Sequence, residues 1–155
     1  MKIVSLGLRE ILALRKTTFF CSRDVSPSAI LKCYDWAIEQ RDKGICIISG
    51  FHSKIEKDVF HYLLTGKQPV IMVLARGMYK RIPPDWLKAI DEGRLLIITP
   101  FNDNETRASS SRAMKRNRLM IDLADEIVVG YCNPKGHLSV LLSEVVDKRI
   151  TKLQS

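Results

Sequence analysis

The sequence predicts an α/β protein: a doubly wound, mainly parallel sheet of about five strands with helices on both faces. Five apolar runs of strand length, Thr18 to Cys21, Ile45 to Ile48, Pro69 to Leu74, Leu95 to Thr99 and Glu126 to Tyr131, alternate with stretches whose apolar residues recur at helical spacing. The runs are mostly apolar without alternation, as strands covered on both faces are. At 155 residues the chain has the length of one domain, read as spanning 1–155.

Residues 1–16 read as an amphipathic lead-in helix, because Arg9 and Glu10 interrupt the apolar run and no small-residue cleavage site follows. The first strand, TFFC, is β-branched and aromatic. Ser26-Pro27 opens a helix carrying Ile30, Leu31, Tyr34, Ala37 and Ile38, and Gly44 stops it. The second strand ends in Ser49-Gly50. Ser53 and Glu56 then stand at capping-box spacing ahead of the stripe Ile55, Val59, Tyr62 and Leu63.

After the third strand, Pro83-Pro84-Asp85 opens a helix carrying Trp86, Leu87 and Ile90. The fourth strand leads into a long polar loop, Asn102 to Ser111, with the features of either a lid or a flexible segment. A basic helix follows over 110–123, then the fifth strand and an apolar helix from Leu138 to Val146. No internal repeat, low-complexity tract or domain linker interrupts the pattern.

The apolar runs are too short to cross a bilayer, so no membrane partner is expected. Cys21, Cys33, Cys46 and Cys132 lack metal-ligand spacing, and His52, His61 and His137 lack the partners a zinc site needs. Reduced structural thiols, a cytoplasmic location and no metal or cofactor are the expectation.

Charge is more informative. Lys and Arg number 25 against 17 Asp and Glu, a net charge of +8. Two segments hold an excess of that size: Arg76 to Arg81 with three cations, and Arg107 to Arg118 with five, neither containing an acid. An isolated basic run is ordinarily a solvated helix face. Both of these, however, follow strands, at the edge where doubly wound sheets bind ligands. An anionic ligand is therefore expected. Gly50 would let the backbone approach it, and the helix start near Ser53 would offer free N–H groups and a positive dipole end. Neither a G-x-G-x-x-G nor a P-loop pattern is present.

From about Phe19 to Leu142 the chain resembles the Rossmann-like domain of the DprA/Smf DNA-processing proteins, within a wider group that includes LOG-type phosphoribohydrolases. Phe20-Cys21-Ser22-Arg23 resembles the family's first strand and Gly-Ser-Arg turn, with Cys21 replacing the glycine. Ser49-Gly50-Phe51-His52-Ser53-Lys54-Ile55-Glu56 resembles its Ser-Gly-Leu-Ala-Arg-Gly-Ile-Asp motif, with Ser53 for the arginine and Lys54 for the second glycine. Ala75-Arg76-Gly77-Met78 and Ile82-Pro83-Pro84 resemble Gly-x-Gly-Leu and Tyr-Pro-Pro. Lys115-Arg116-Asn117-Arg118-Leu119-Met120 resembles Arg-Arg-Asn-Arg-Ile-Ile, the most specific match.

The resemblance implies binding of single-stranded DNA and a role in DNA processing, uptake or recombination. With the basic segments, it assigns phosphate contacts to Ser22, Arg23, Ser49, Gly50, Phe51, Ser53 and Lys54, to Arg76 and Gly77, and to Arg112, Lys115, Arg116, Asn117 and Arg118. Phe51, Tyr79 or Phe101 would supply base stacking. It also implies a homodimer and a RecA-type recombinase partner, although the chain has no room for the accessory domains that flank this module in the family.

Two alternatives share the fold. A LOG-like phosphoribohydrolase needs a carboxylate near the ribose, yet Pro134-Lys135-Gly136-His137-Leu138-Ser139-Val140-Leu141 stands where that family has Pro-Gly-Gly-x-Gly-Thr-x-x-Glu, and leucine cannot replace the glutamate. Glu56 is the remaining substitute, and its capping spacing already explains it. A protein that binds one nucleotide without turnover would use the same phosphate seat, but eight cations exceed what a single phosphate requires. Binding without catalysis is the expectation.

Overall fold

The computed structural model of the chain describes residues 2–23 and 25–154. Met1 and Ser155, at the ends of the expected domain, and Asp24, in the turn after the first expected strand, lie outside the described residues. In chain order the elements are β1 (Val4–Leu6), a 3₁₀ turn (Arg9–Ala13), β2 (Lys16–Cys21), α1 (Pro27–Lys43), β3 (Cys46–Ser49), α2 (Lys54–Leu64) and β4 (Val70–Val73). There follow α3 (Pro84–Asp91), β5 (Leu95–Thr99), α4 (Ser110–Leu123), β6 (Glu126–Tyr131), α5 (His137–Ser143) and β7 (Arg149–Lys152).

The seven strands form one sheet in the order β1-β5-β4-β3-β2-β6-β7, parallel except for β1, which runs antiparallel to β5. The five expected strands are β2 to β6, and β1 and β7 extend the two edges. The chain steps outward from β2 to β5, then α4 carries it back past β2 to β6, which reverses the winding and creates the switch that makes such sheets ligand-binding.

Alternate strand residues feed two cores, because successive side chains point to opposite faces. In β5, Leu95 and Ile97 belong to the core that also holds Val59 and Leu63 of α2 and Cys33 and Ala37 of α1, whereas Leu96 and Ile98 belong to the core that holds Met120 and Ile121 of α4 and Leu141 and Leu142 of α5. Helix starts follow their caps: the Ser26 hydroxyl accepts from Ala29 N–H, Ser53 and Glu56 complete a reciprocal capping box, and the Ser109 hydroxyl accepts from Arg112 N–H.

Two expectations need correction. The lead-in helix over 1–16 is instead β1 plus a 3₁₀ turn. Gly7, at φ 119°, breaks the segment, and a side chain there would meet the Leu95 carbonyl at 2.6 Å, so the chain adds to the sheet edge rather than coiling. The last helix ends at Ser143. Leu141 and Leu142 are core residues, while Val146 lies beyond the helix and is 93% exposed.

Candidate nucleic-acid interface

A cavity of about 400 Å³ opens at the carboxyl edge of β3 and β4, between α2 and α3. Gly50, Phe51 and His52 reach it from the end of β3, and Lys57, Phe60 and Leu64 from α2. Ala75 and Arg76 follow β4, Trp86 comes from α3, and Ala108 and Arg116 contribute from the β5-to-β6 crossover.

Arg116 dominates the electrostatics. Its helix turns the side chain inward, leaving it 6% exposed, with Nε donating to Asn117 Oδ1 at 3.0 Å. The guanidinium lies directly over Gly50: a Cβ there would fall 2.6 Å from Cζ and 2.9 Å from Nε. Gly50 thus serves by leaving room for a cation. Among the described residues no carboxylate lies within ion-pair distance of Arg116, and its terminal nitrogens make no hydrogen bond. Burial holds this guanidinium below the ordinary arginine range, with Glu56 and Tyr79 acting in the opposite sense. A buried cation without a partner is costly, so the arrangement favours an incoming anion. Burial, then the Arg116 charge, also lowers the His52 pKa; Lys57 and Arg23 add to this, and Glu56 opposes it.

The far wall is aromatic. Phe51 contacts Phe60 at 4.7 Å between ring centroids, Phe60 contacts Trp86 edge-on at 5.2 Å, and Trp86 contacts Tyr79 at 6.2 Å. The Arg76 guanidinium caps the series 4.5 Å from the Tyr79 ring centre. Phe51 adopts φ 47°, a left-handed conformation uncommon for a bulky residue, and is buried in the turn from β3 toward α2.

Of the residues expected from sequence, Gly50, Phe51, Arg76 and Arg116 therefore line one cavity. The serines do not. Ser49 is fully buried, donates to the Phe19 carbonyl at 2.8 Å and accepts from Phe51 N–H. Ser53 donates to the Cys21 carbonyl, and Ser22 accepts from Asn133 N–H. At the helix start the Ser53 hydroxyl accepts from Glu56 N–H at 3.3 Å, and just ahead of it Glu56 Oε1 accepts from His52 and Ser53 N–H at 2.9 and 3.1 Å, while Oε2 accepts from Cys21 N–H at 3.0 Å.

The basic helix is likewise divided. Arg112 faces Glu105 at 3.5 Å and Arg118 faces Glu144 at 3.8 Å, so neither is unopposed. Residues 116 and 118 point in different directions because two helical positions differ by about 200°. Arg23 and Lys115 are exposed, Lys54 pairs with Asp58 at 3.2 Å, and Asn117 orients Arg116. Gly77 donates its N–H to the Glu105 carbonyl at 2.7 Å, which ties the 102–111 loop to the end of β4. Phe101 is buried outside the cavity.

Trp86, Phe60, His52, Lys57 and Ala108 are cavity residues absent from the expected contact set. Only the helical stripe hinted at Trp86, and a stripe equally describes core; Phe60 lay outside the stripe Ile55, Val59, Tyr62 and Leu63. Among the described residues, no group of His, Cys, Asp or Glu side chains is arranged to hold a metal ion, and no helix is long and apolar enough to cross a membrane.

A Rossmann-like sheet with a cationic cavity at its carboxyl edge defines a class of ligand-binding α/β proteins. Within it, the chain belongs to the DNA recombination-mediator protein A family, whose model matches residues 2–137. Its fold is similar to that of DNA processing protein A from Helicobacter pylori, a structure described for its single-stranded DNA binding mode: TM-score 0.75, 20% identity, covering 97% of this chain and 70% of that one. The corresponding protein from Streptococcus pneumoniae aligns with TM-score 0.67 and 16% identity over 98% of this chain and 64% of its own. The Moco carrier protein from Chlamydomonas reinhardtii shares the fold more distantly, with TM-score 0.54 and 11% identity over 89% of this chain and 75% of that one. No curated protein sequence matches.

Proposed function

We propose that this protein binds single-stranded DNA without chemical turnover, seating a backbone phosphate on Arg116 above Gly50. The observation that carries this reading is the buried Arg116 guanidinium, which has no carboxylate partner among the described residues and faces a cavity. An ion pair formed at a largely buried guanidinium is worth more than one at the surface. Lys57 and Arg76 strengthen the field at the mouth, and exposed Arg23 and Lys115 extend it toward neighbouring phosphates. Membership of the recombination-mediator family and the single-stranded DNA binding described for the Helicobacter protein support a polymer as ligand.

A phosphoribohydrolase is disfavoured by the chemistry of Glu56. Both of its oxygens accept backbone N–H groups, which leaves it a structural acceptor rather than a carboxylate free to stabilise a sugar cation. The test is anisotropy of labelled oligo-dT titrated with protein over a range of salt concentrations, with duplex and nucleoside monophosphate as competitors. Affinity should fall steeply with salt, as counterion release requires, and monophosphate should displace the strand poorly. Absence of binding, or full displacement by monophosphate at equimolar levels, would remove the polymer reading.

A further inference from the structure

We propose that the cavity seats an unpaired nucleobase as well as a phosphate, the base lying in the aromatic arm formed by Phe60, Trp86 and Tyr79; this rests on the DNA-binding reading above. Size is the first reason. A phosphate occupies the space of a few water molecules, at about 30 Å³ each, and leaves most of the roughly 400 Å³ cavity unfilled.

Polarity is the second reason. Arg116 and His52 lie beside Gly50, whereas Phe60, Leu64, Met72 and Trp86 make an apolar compartment, and Asp85 is the single acidic residue on the lining among the described residues. His61, Leu64 and Asp85 also border an adjoining cavity of about 570 Å³ that neither Gly50 nor Arg116 reaches, which marks them as the end remote from the cation. A nucleotide has the same asymmetry. Its phosphate is drawn to Arg116 and repelled by Asp85, while its base gains an apolar wall and a carboxylate acceptor for an N–H on its edge.

The rings are arranged to receive a face. Trp86 meets Phe60 and Tyr79 at interplanar angles of 81° and 62°, and both Trp86 and Tyr79 are only partly buried. The other tryptophan, Trp36, is stacked flat on Phe19 at 4.8 Å and lies outside the cavity lining. Paired bases in a duplex present their edges to a partner and cannot enter such an arm without being extruded. Preference for a single strand then comes from the arm, and the phosphate seat supplies salt-dependent affinity.

The experiment compares oligo-dT with an abasic deoxyribose-phosphate oligomer of equal length, read by anisotropy across salt and by intrinsic tryptophan fluorescence. Oligo-dT should bind about tenfold more tightly than the abasic strand, since one stacked base is worth about that much, with the same salt slope for both. It should also quench tryptophan emission, and Trp86→Leu should abolish the quench and the tenfold advantage while keeping the slope. Equal affinity for the two strands, or a quench that survives Trp86→Leu, overturns the base seat and leaves the phosphate reading standing. Failure of both strands to bind overturns the phosphate reading and the base seat with it.

Discussion

Two polar clusters lie next to each other at the carboxyl edge of the sheet, and they differ in whether their members satisfy one another. Around the N-terminus of α2, Ser49, Ser53 and Glu56 exchange hydrogen bonds with Phe19, Cys21, Phe51 and His52, so each has a partner within the fold. A few ångströms away, Arg116 sits buried over Gly50 with, among the described residues, a single hydrogen bond, from Nε to Asn117. The first cluster holds the β2 and β3 ends together. The second keeps an unmet electrostatic demand that a ligand can answer. Polar residues of similar type are thus separated into scaffold and site by their partners.

The sharpest way to break that contrast is Glu56→Ala. It removes the acceptor of three backbone N–H groups and should cost about 3 kcal/mol of stability, measured by urea unfolding. Oligonucleotide affinity of the folded fraction should stay within about threefold of the parent if the cluster is scaffold only. A loss of affinity larger than the loss of stability would place Glu56 in the site.

Arg116→Met tests the other cluster and should act in reverse. Removing a buried cation that has no carboxylate partner among the described residues should leave stability unchanged or raise it by about 1 kcal/mol, while affinity for oligo-dT falls by about 2 kcal/mol, roughly thirtyfold. Unfolding and anisotropy on the same preparation decide it. A destabilised protein with intact affinity would make Arg116 structural.

Gly50→Ala sharpens the comparison without touching charge. The added methyl displaces the Arg116 guanidinium, and affinity should fall by about 1 kcal/mol, about fivefold, with an unchanged salt slope because the number of cations is unchanged.

The smallest effect is in pH. The folded-state pKa of His52 is depressed by burial and by Arg116, Lys57 and Arg23, against the opposing pull of Glu56. In the free protein this group therefore contributes stability above its unfolded value of about 6.5, and that contribution is lost as pH falls through the lower folded value. A bound phosphate raises the His52 pKa, so binding takes up a proton and affinity should rise by a few-fold as pH drops below about 6.5. His52→Gln should flatten that rise. A pH profile identical in the parent and the variant would remove His52 from the interface.

The strands β2 to β6 and helices α1 to α4 were legible because each depends on local information. Continuous apolar runs specify doubly covered strands, and Ser26, Ser53 and Ser109 begin helices through bonds spanning only three residues. Edge strands were not legible: Arg149–Lys152 is short, charged and mostly exposed, and only pairing with β6 makes it a strand. In the site, Gly50, Arg76 and Arg116 could be identified from the basic segments, the strand-end glycine and the family resemblance. Trp86 could not be told from core, because helical periodicity reports that a face is covered and not what covers it, and Phe60 lay outside the stripe.

The sequence by itself determined a parallel α/β sheet with a basic carboxyl edge, since periodicity, caps and charge are properties of neighbouring residues. Only the tertiary structure decided which charges count. It brought Glu105 to Arg112 and Glu144 to Arg118, and it gave Arg116 a buried place over Gly50 with no carboxylate beside it among the described residues. The physical reason is distance. A charge's effect depends on its partners and its solvent, and the fold sets both, bringing Glu144 and Gly50 from distant segments and turning Glu105 back from the loop just before α4.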